Sequence, residues 1–306
     1  MILAFYTFLT VVGTGFLIDA LVNDDDDDTA SQEAAAQEEE TVIADQQPNG
    51  LDLVGKVGDD TLTGGEGPDV ITDDLGADEI DGLGGNDEVT SGEDADTVFG
   101  GEGDDKILGG AGEDLLLGED GDDKLRGNQD SDIILGGEGS DTLLGDDGND
   151  LLLAAEITDE QALKENTDGL DITNSTIYNN FTTFEEPDAG ADTVDGGRGD
   201  DTIVLGAEDT AKGGPGFDDF LVGDWIADGN GPAIVTDFNP LEDVVAYYHN
   251  EVEQPNPMLT VETDADGNAL LFADGTLISI IENSGAFFTP SLVTLVAYTP
   301  PSAVVS

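Results

Sequence analysis

A nine-residue period is the feature of this sequence that most restricts its fold. From Gly55 to Leu153 the chain repeats the pattern G-G-x-G-x-D-x-U-x through eleven units without an insertion, where U is an aliphatic residue. The sixth position is Asp in every unit, and the eighth is Leu, Ile or Val. A fixed period of this kind indicates stacked units, because repeat proteins build their core between neighbouring units.

The spacing within each unit predicts a strand and a turn. The three residues after each Asp can form a short strand, whose alternation sends the eighth residue inward and its two neighbours outward. The six Gly-rich residues predict a turn that needs positive φ. If two units make one coil, units of one parity share a sheet and each Asp lies above the Asp of the next coil. Residues that replace Gly and tolerate left-handed conformations are Asp73, Asp74, Asp94, Asn128, Asp130 and Asp146. Residues that replace Gly and fit less well are Lys56, Leu83, Ser91 and Glu119.

The charge balance predicts that cations take part in the fold. The chain of 306 residues has 71 acidic and 7 basic side chains, a formal charge of -64. Repulsion on this scale opposes a compact state unless counter-ions bind. Nucleic acid and anionic membrane surfaces are excluded as electrostatic partners, because they require clustered Lys and Arg. The chain has no Cys, which excludes disulfides and thiolate metal sites.

Calcium is the cation that the turns favour. It takes roughly six to eight oxygen ligands in flexible geometry, and turns rich in Asp and backbone carbonyls supply oxygen alone. Zinc and copper prefer His and Cys, and His249 is the one His in the chain. The alternative is an ion-free solenoid with a solvated acidic face. The predicted calcium ligands are Asp60, Asp69, Asp78, Asp87, Asp96, Asp105, Asp114, Asp123, Asp132, Asp141 and Asp150, followed after an insertion by Asp192, Asp201 and Asp218.

The repeat resembles that of the repeats-in-toxin (RTX) family, the hemolysin-type calcium-binding repeat proteins. This resemblance implies a right-handed parallel β-roll that binds several Ca²⁺ ions. It also implies export by a one-step, type I secretion machine that reads an uncleaved C-terminal signal, for which LVAYTPPSAVVS at residues 295–306 is the candidate. The stretch IVTDFNPLEDVV resembles the β segment that closes many RTX chains, including the non-catalytic ends of serralysin-like proteases.

We therefore expect an all-β chain, a calcium-binding parallel β-roll (β-solenoid) followed by a small C-terminal β domain, with an N-terminal apolar helix. The uncharged run from Ile2 to Ile18 favours membrane insertion or export. The alternative is a segment that folds back over one end of the repeats. The predicted divisions are an apolar signal or anchor (1–22), an acidic disordered tether (23–52), the roll (53–153), an insertion (154–186), a second roll segment (187–232) and a C-terminal β-rich region (233–306).

The predicted insertion opens with a capping box, Thr158 to Gln161, which indicates a short helix. After it the repeat resumes, then slips by one residue before Asp218, which leaves the stacking there open. In the C-terminal region, DADGN at residues 264–268 predicts a hairpin turn, since it lacks the spacing of an EF-hand.

Sequence motifs for catalysis are absent. A second His for an H-E-x-x-H zinc site is missing, as are a G-x-S-x-G elbow and a phosphate loop with Lys. We expect His249 to be a structural residue and the chain to have no enzyme activity. The predicted function is calcium binding by an exported or surface-displayed protein that folds on binding Ca²⁺. The alternatives are a non-catalytic accessory module or fragment of a secreted hydrolase, and a surface adhesin.

One outward face is unusually apolar. In units seven, nine and eleven the residues flanking the inward aliphatic are large and aliphatic, whereas the even units carry Lys106, Lys124 and Arg126 at these positions. We expect the apolar face to be covered, because an apolar patch of this size usually marks an interaction site. The nearest cover is the insertion, through Ile157, Leu163, Phe181 and Phe184, and the alternatives are the C-terminal β segment or a second copy of the chain. The six side chains of this face are Leu115, Leu117, Ile133, Leu135, Leu151 and Leu153.

Overall fold

The computed structural model describes residues 41–43, 50–155, 190–228, 231–252, 254–284 and 287–298. These residues wind through two facing sheets, and in the roll each strand is followed by one in the opposite sheet. The first sheet contains, in spatial order, β1 (Thr41–Ile43), β3 (Thr61–Gly65), β5 (Glu79–Leu83), β7 (Thr97–Glu102), β9 (Leu115–Asp120), β11 (Ile133–Glu138), β13 (Leu151–Leu153), β15 (Thr202–Val204), β17 (Asp219–Gly223), β19 (Val244–Asn250) and β23 (Val293–Tyr298). The second contains β2 (Asp52–Val54), β4 (Val70–Thr72), β6 (Glu88–Glu93), β8 (Lys106–Ala111), β10 (Lys124–Gln129), β12 (Thr142–Asp147), β14 (Thr193–Arg198), β16 (Thr210–Lys212), β18 (Ala233–Val235), β22 (Thr276–Ile281), β21 (Ala269–Ala273) and β20 (Leu259–Thr263).

The strand register confirms that two nonapeptides make one coil. In the first sheet β11 pairs in parallel with β9 and β13, which places Ile134 opposite Leu116 and Leu152. Each of these partners belongs to a unit of the same parity. Odd and even units therefore form separate sheets, as the period predicts.

The strands in the middle of the roll are longer than the three residues predicted. β8, for example, runs from the seventh position of one unit into the third position of the next, Lys106 to Ala111. The first two positions of the turn continue the strand pairing because residues such as Gly110 bond in register with the neighbouring coils. The sharp bend is thus confined to the last part of the Gly-rich six.

Several replacements of Gly adopt the left-handed conformation that the pattern requires. Asp94, Asn128, Asp130 and Asp146 have φ of 78°, 87°, 69° and 76°, as predicted. Leu83 and Glu119 also have positive φ, 70° and 78°, although their side chains disfavour it. The same prediction is wrong for Asp73 and Asp74, which are not among the residues with positive φ.

The core is a single column of aliphatic side chains between the sheets. The eighth residue of every unit from Leu62 to Leu152 is 0–1% exposed. Burial of one such side chain contributes about 1.5–3 kcal/mol, so the column is a main source of stability in the roll. This confirms the inward direction predicted from the strand alternation.

The roll continues across the insertion. β12 pairs with β14 and β13 with β15, both in parallel, so the chain returns to the same two sheets. The predicted capping box and helix after Thr158 lie outside the described residues, as does the predicted apolar helix at residues 1–22. Within the predicted tether, Thr41–Ile43 forms β1 and pairs with β3, which differs from the disorder expected there.

The C-terminal region adds its strands to the same sheets. β19 and β23 extend the first sheet, and β18 and β22 extend the second. β20 and β21 form an antiparallel hairpin whose turn is the predicted DADGN, where the Asp264 amide bonds the Asn268 carbonyl. Phe238 packs against Phe220 and Phe288 at this end, with ring centroids 6.5 Å and 5.3 Å apart. Within the residues described, no helix is long and apolar enough to cross a membrane.

Candidate calcium-binding turns

The sixth-position Asp residues are buried. None of the fourteen predicted ligands is more than 3% exposed. A buried carboxylate that keeps its charge costs several kcal/mol unless a counter-charge compensates it. Each turn of the roll therefore contains a group that requires either a cation or a proton.

These carboxylates form two ladders, one along the turns before each sheet. The amide of each Asp donates to Oδ1 of the equivalent Asp in the next coil, as Asp105 does to Asp123 at 2.7 Å. One ladder runs through Asp60, Asp78, Asp96, Asp114, Asp132, Asp150, Asp201 and Asp218. The other runs through Asp69, Asp87, Asp105, Asp123, Asp141, Asp192 and Asp209.

The second oxygen of these carboxylates lacks a hydrogen-bond partner in turn after turn. Because an unsatisfied buried acceptor is costly, a row of them along the described coils indicates that these turns are suited to bind a ligand. The Asp residues with a buried Oδ2 of this kind include Asp78, Asp87, Asp96, Asp105, Asp114, Asp123, Asp132, Asp150, Asp201 and Asp218.

The oxygens converge beside the first Gly of the turn. A Cβ added to Gly100 would lie 2.5 Å from Asp105 Oδ2 and 2.7 Å from the Gly118 carbonyl oxygen. The absence of a side chain at Gly100 therefore allows a carboxylate and a carbonyl from adjacent coils to approach the same point. Oxygen atoms of these two kinds are the ligands that Ca²⁺ prefers, so the residues present fit this ion.

Burial also raises the pKa of these carboxyls. It raises the pKa of Asp96 and Asp123 to about 8 and that of Asp132 to about 9, against the opposing effect of one backbone hydrogen bond each and with help from neighbouring carboxylates. The pKa of Asp114 is raised to about 7 by burial. Burial therefore favours the protonated form of Asp96, Asp123 and Asp132 at neutral pH, and a cation that binds there competes with these protons.

The shortened unit before Asp218 keeps the ladder intact. Asp192 donates to Asp209 at 3.0 Å, and Asp201 to Asp218 at 3.1 Å, although both pairs are 17 residues apart instead of 18. The ladder ends with Asp218 donating to Asp243 at 3.2 Å. The stacking that the slip left open in the sequence is thus present.

Sequence reasoning missed three Asp residues in these turns. Asp209 is 2% exposed and occupies the sixth-position place of a unit with only eight residues. Asp243 belongs to NPLED, which has no Gly. Asp73 replaces the first Gly of unit three and is 4% exposed. For Asp209 the signal was the short D-x-U-x stretch DTAK before the next Gly-Gly.

The side chain of His249 is buried and packed within the C-terminal part of the first sheet. It lies on β19, is 5% exposed and contacts the Gln254 carbonyl oxygen through Nδ1 at 2.7 Å. Its ring stacks on Tyr247 with centroids 6.5 Å apart. This agrees with the expectation from sequence that a lone His in a β segment is a structural residue.

Comparison with known proteins identifies the repeat. Four copies of the RTX calcium-binding nonapeptide repeat match residues 54–89, 90–125, 117–152 and 188–209. The extracellular lipase LipA of Serratia marcescens is similar at 14% identity and a TM-score of 0.24, over 84% of this chain and 42% of the lipase chain. This chain thus spans less than half of that lipase. No curated protein matches the sequence.

Proposed function

We propose that this chain, which carries RTX calcium-binding nonapeptide repeats, is an exported protein without catalytic activity whose β-roll folds when Ca²⁺ fills its turns. One observation carries the proposal: coil after coil, a buried Asp Oδ2 without a hydrogen-bond partner points at the space beside a Gly. A repeated set of buried carboxylate oxygens that suits a hard cation couples binding to folding, because the site does not exist in the unfolded chain.

The charge of the chain supports a fold that forms outside the cell and not inside it. With a net charge of -64, the chain without calcium is expected to repel itself and stay unfolded. Where free Ca²⁺ is scarce, as inside a cell, this state is suited to export. Where Ca²⁺ is millimolar, as outside, the turns fill and the roll forms.

The export route is part of the proposal. The apolar run from Ile2 to Ile18 is proposed to form a helix that enters a membrane or directs export, and residues 295–306 to act as a signal for a type I secretion machine. Protease added to intact cells should then cleave the acidic segment at residues 23–40. Full protection in intact cells that is lost only on lysis would contradict surface display.

The experiment for calcium-dependent folding is a titration followed by circular dichroism. The full chain, dialysed free of calcium, should gain its β signal as Ca²⁺ is added and lose it again in excess chelator. Mg²⁺ at the same concentration is the matched control, because its strict octahedral geometry and reluctance to dehydrate suit these turns poorly. A β signal that persists unchanged in chelator at neutral pH would refute the proposed function.

A further inference from the structure

Asp73 departs from the repeat at a buried position. It replaces the first Gly of unit three and directly follows β4. Its side chain is 4% exposed, its Oδ1 accepts a hydrogen bond from the Asp74 amide at 2.7 Å, and its Oδ2 is buried without a hydrogen-bond partner. The backbone does not require Asp here, because Asp73 lacks the positive φ of Asp94 and Asp130.

The Asp73 carboxylate lies with two ladder residues. Carboxylate oxygens of Asp60, Asp73 and Asp78 all lie within 4.8 Å of one another. Asp78 is 3% exposed, its Oδ1 accepts a hydrogen bond from the Asp60 amide at 2.7 Å, and its Oδ2 is buried without a hydrogen-bond partner. Asp73 and Asp78 thus each bring to this group a carboxylate that has one buried oxygen without a hydrogen-bond partner. In the described part of the chain no other group of three metal-binding side chains converges in this way.

Asp73 also occupies the space that the other turns leave beside Gly. A Cβ on Gly55 would collide with the carboxylate of Asp73, whereas a Cβ on Gly64, Gly82 or Gly100 would meet the sixth-position Asp of its own unit. The first coil therefore receives a carboxylate from the coil above it. Three carboxylates therefore come together here, where a regular turn has the two of successive coils.

We propose that Asp60, Asp73 and Asp78 form a distinct calcium site that binds more tightly than the regular turns and fills first, at the N-terminal end of the roll. The inference rests on the proposed function, because it requires that the turns bind Ca²⁺. A third carboxylate strengthens binding because calcium affinity rises with the number of charged ligands. Filling of this site orders β3 and β5, which gives the following coils a template on which to stack.

The experiment measures which coil is protected first. Hydrogen exchange of the full chain is followed by mass spectrometry as Ca²⁺ is raised from well below one equivalent. Peptides that cover β3 and β5 should become protected at about tenfold lower Ca²⁺ than peptides that cover β10 and β12. Equal midpoints for the two regions would overturn the proposal.

Two variants of Asp73 distinguish a role as a calcium ligand from a purely structural role. Asp73→Gly restores the repeat pattern and should raise the midpoint of the N-terminal peptides to that of the central ones, while circular dichroism in saturating Ca²⁺ stays unchanged. Asp73→Asn keeps the shape and should have the same effect, because it removes the charge. Asp130→Gly is the matched control, since Asp130 also replaces a Gly but is exposed, and it should leave the N-terminal midpoint where it was.

The outcomes distinguish the two proposals. If both Asp73 variants fold with calcium and keep the wild-type midpoints, the three-carboxylate site is refuted and the proposed function stands. If the wild-type chain shows no calcium-dependent protection in any coil, the proposed function itself fails.

Discussion

The amide of Asp141 donates a hydrogen bond to Asp192 Oδ1 at 2.7 Å, although the two residues are 51 positions apart in sequence. Asp123 makes the same bond to Asp141 at 2.8 Å across the regular 18 positions. The ladder therefore continues directly from Asp141 to Asp192 across the insertion. The consequence is that calcium sites on both sides of the insertion belong to one stack, and their occupancy should be cooperative.

Removal of one ladder charge should have opposite effects with and without calcium. In Asp105→Asn the loss of a carboxylate ligand should raise the Ca²⁺ midpoint of folding by about tenfold. In the calcium-free chain the same variant should be more stable than wild type, because a buried neutral amide costs less than a buried charge. The measurement is a Ca²⁺ titration by circular dichroism, together with a pH titration of the calcium-free chain, in which the variant should gain β signal at a higher pH than wild type.

The neighbouring Asp104→Asn is the control for this variant. Asp104 is exposed, so the same loss of charge at the adjacent position should shift the midpoint little. Equal shifts for the two variants would mean that general charge repulsion, and not ligation by the ladder, sets the calcium requirement.

The calcium-free roll should become more stable as the pH falls. Burial raises the pKa of Asp96, Asp123 and Asp132 from 3.8 to about 8, 8 and 9. Between these values and the ordinary pKa the folded state binds more protons than the unfolded one, so its stability decreases as the pH rises. Chain dialysed free of calcium should therefore gain β signal when the pH is lowered from about 9 to about 5, a range set by these shifts.

The same linkage predicts proton release when calcium binds. At pH near 7 the ion must displace protons from carboxyls with raised pKa, so calorimetry in buffers of different ionisation enthalpy should show net release. Calcium affinity should accordingly fall as the pH falls, opposite to the trend in calcium-free stability. A calcium-free chain whose β signal does not change over this pH range would contradict the burial of these groups.

A methyl group placed beside the ladder should close the space at which the oxygens converge. Gly100 lacks positive φ, so Ala is allowed there by conformation, but its Cβ would meet Asp105 Oδ2 and the Gly118 carbonyl oxygen. Gly100→Ala should therefore raise the Ca²⁺ midpoint of folding several-fold. Gly84→Ala is the control, because the nearest atom to its added Cβ is 3.7 Å away. Similar midpoints for the two variants would show that the space beside Gly100 is not needed by an ion.

The sequence predicted the parts of this fold that repeat. Leu116 and Asp114 could be assigned to the core and the ladder because every unit has the same residue type at the same position. Asp209 was not predicted as a ladder residue because its eight-residue unit breaks the nine-residue spacing on which the assignment depended. Asp73 was interpreted as a residue that forms a turn, since a sequence pattern gives no φ and Asp suits left-handed positions. Its burial beside Asp78 depends on the stacking of two coils, which is a non-local contact.

The apolar face of the first sheet gives the last prediction. Its six predicted members, including Ile133 and Leu135, are 1–6% exposed, so the expectation that this face is covered is confirmed. The residues expected to cover it lie outside the described part of the chain, except Ala154 and Ala155, which are themselves buried. Positions of the same kind on the second sheet are more open, as Leu144 shows.

Leu135→Asp should consequently destabilise the calcium-loaded roll by about 3 kcal/mol or more, because it places an unpaired charge in a dry contact. Leu144→Asp makes the same change at the equivalent position of a half-buried face and should cost much less.

Urea unfolding in saturating Ca²⁺ compares the stabilities of the two variants. Size-exclusion chromatography with light scattering tests whether Leu135→Asp also changes the molecular mass. A change of mass would contradict a cover supplied by the chain itself, because the face is already buried within a single chain. Loss of stability at constant mass would assign the cover to the chain itself, with the insertion as the nearest segment. Equal stabilities for the two variants would contradict a buried face.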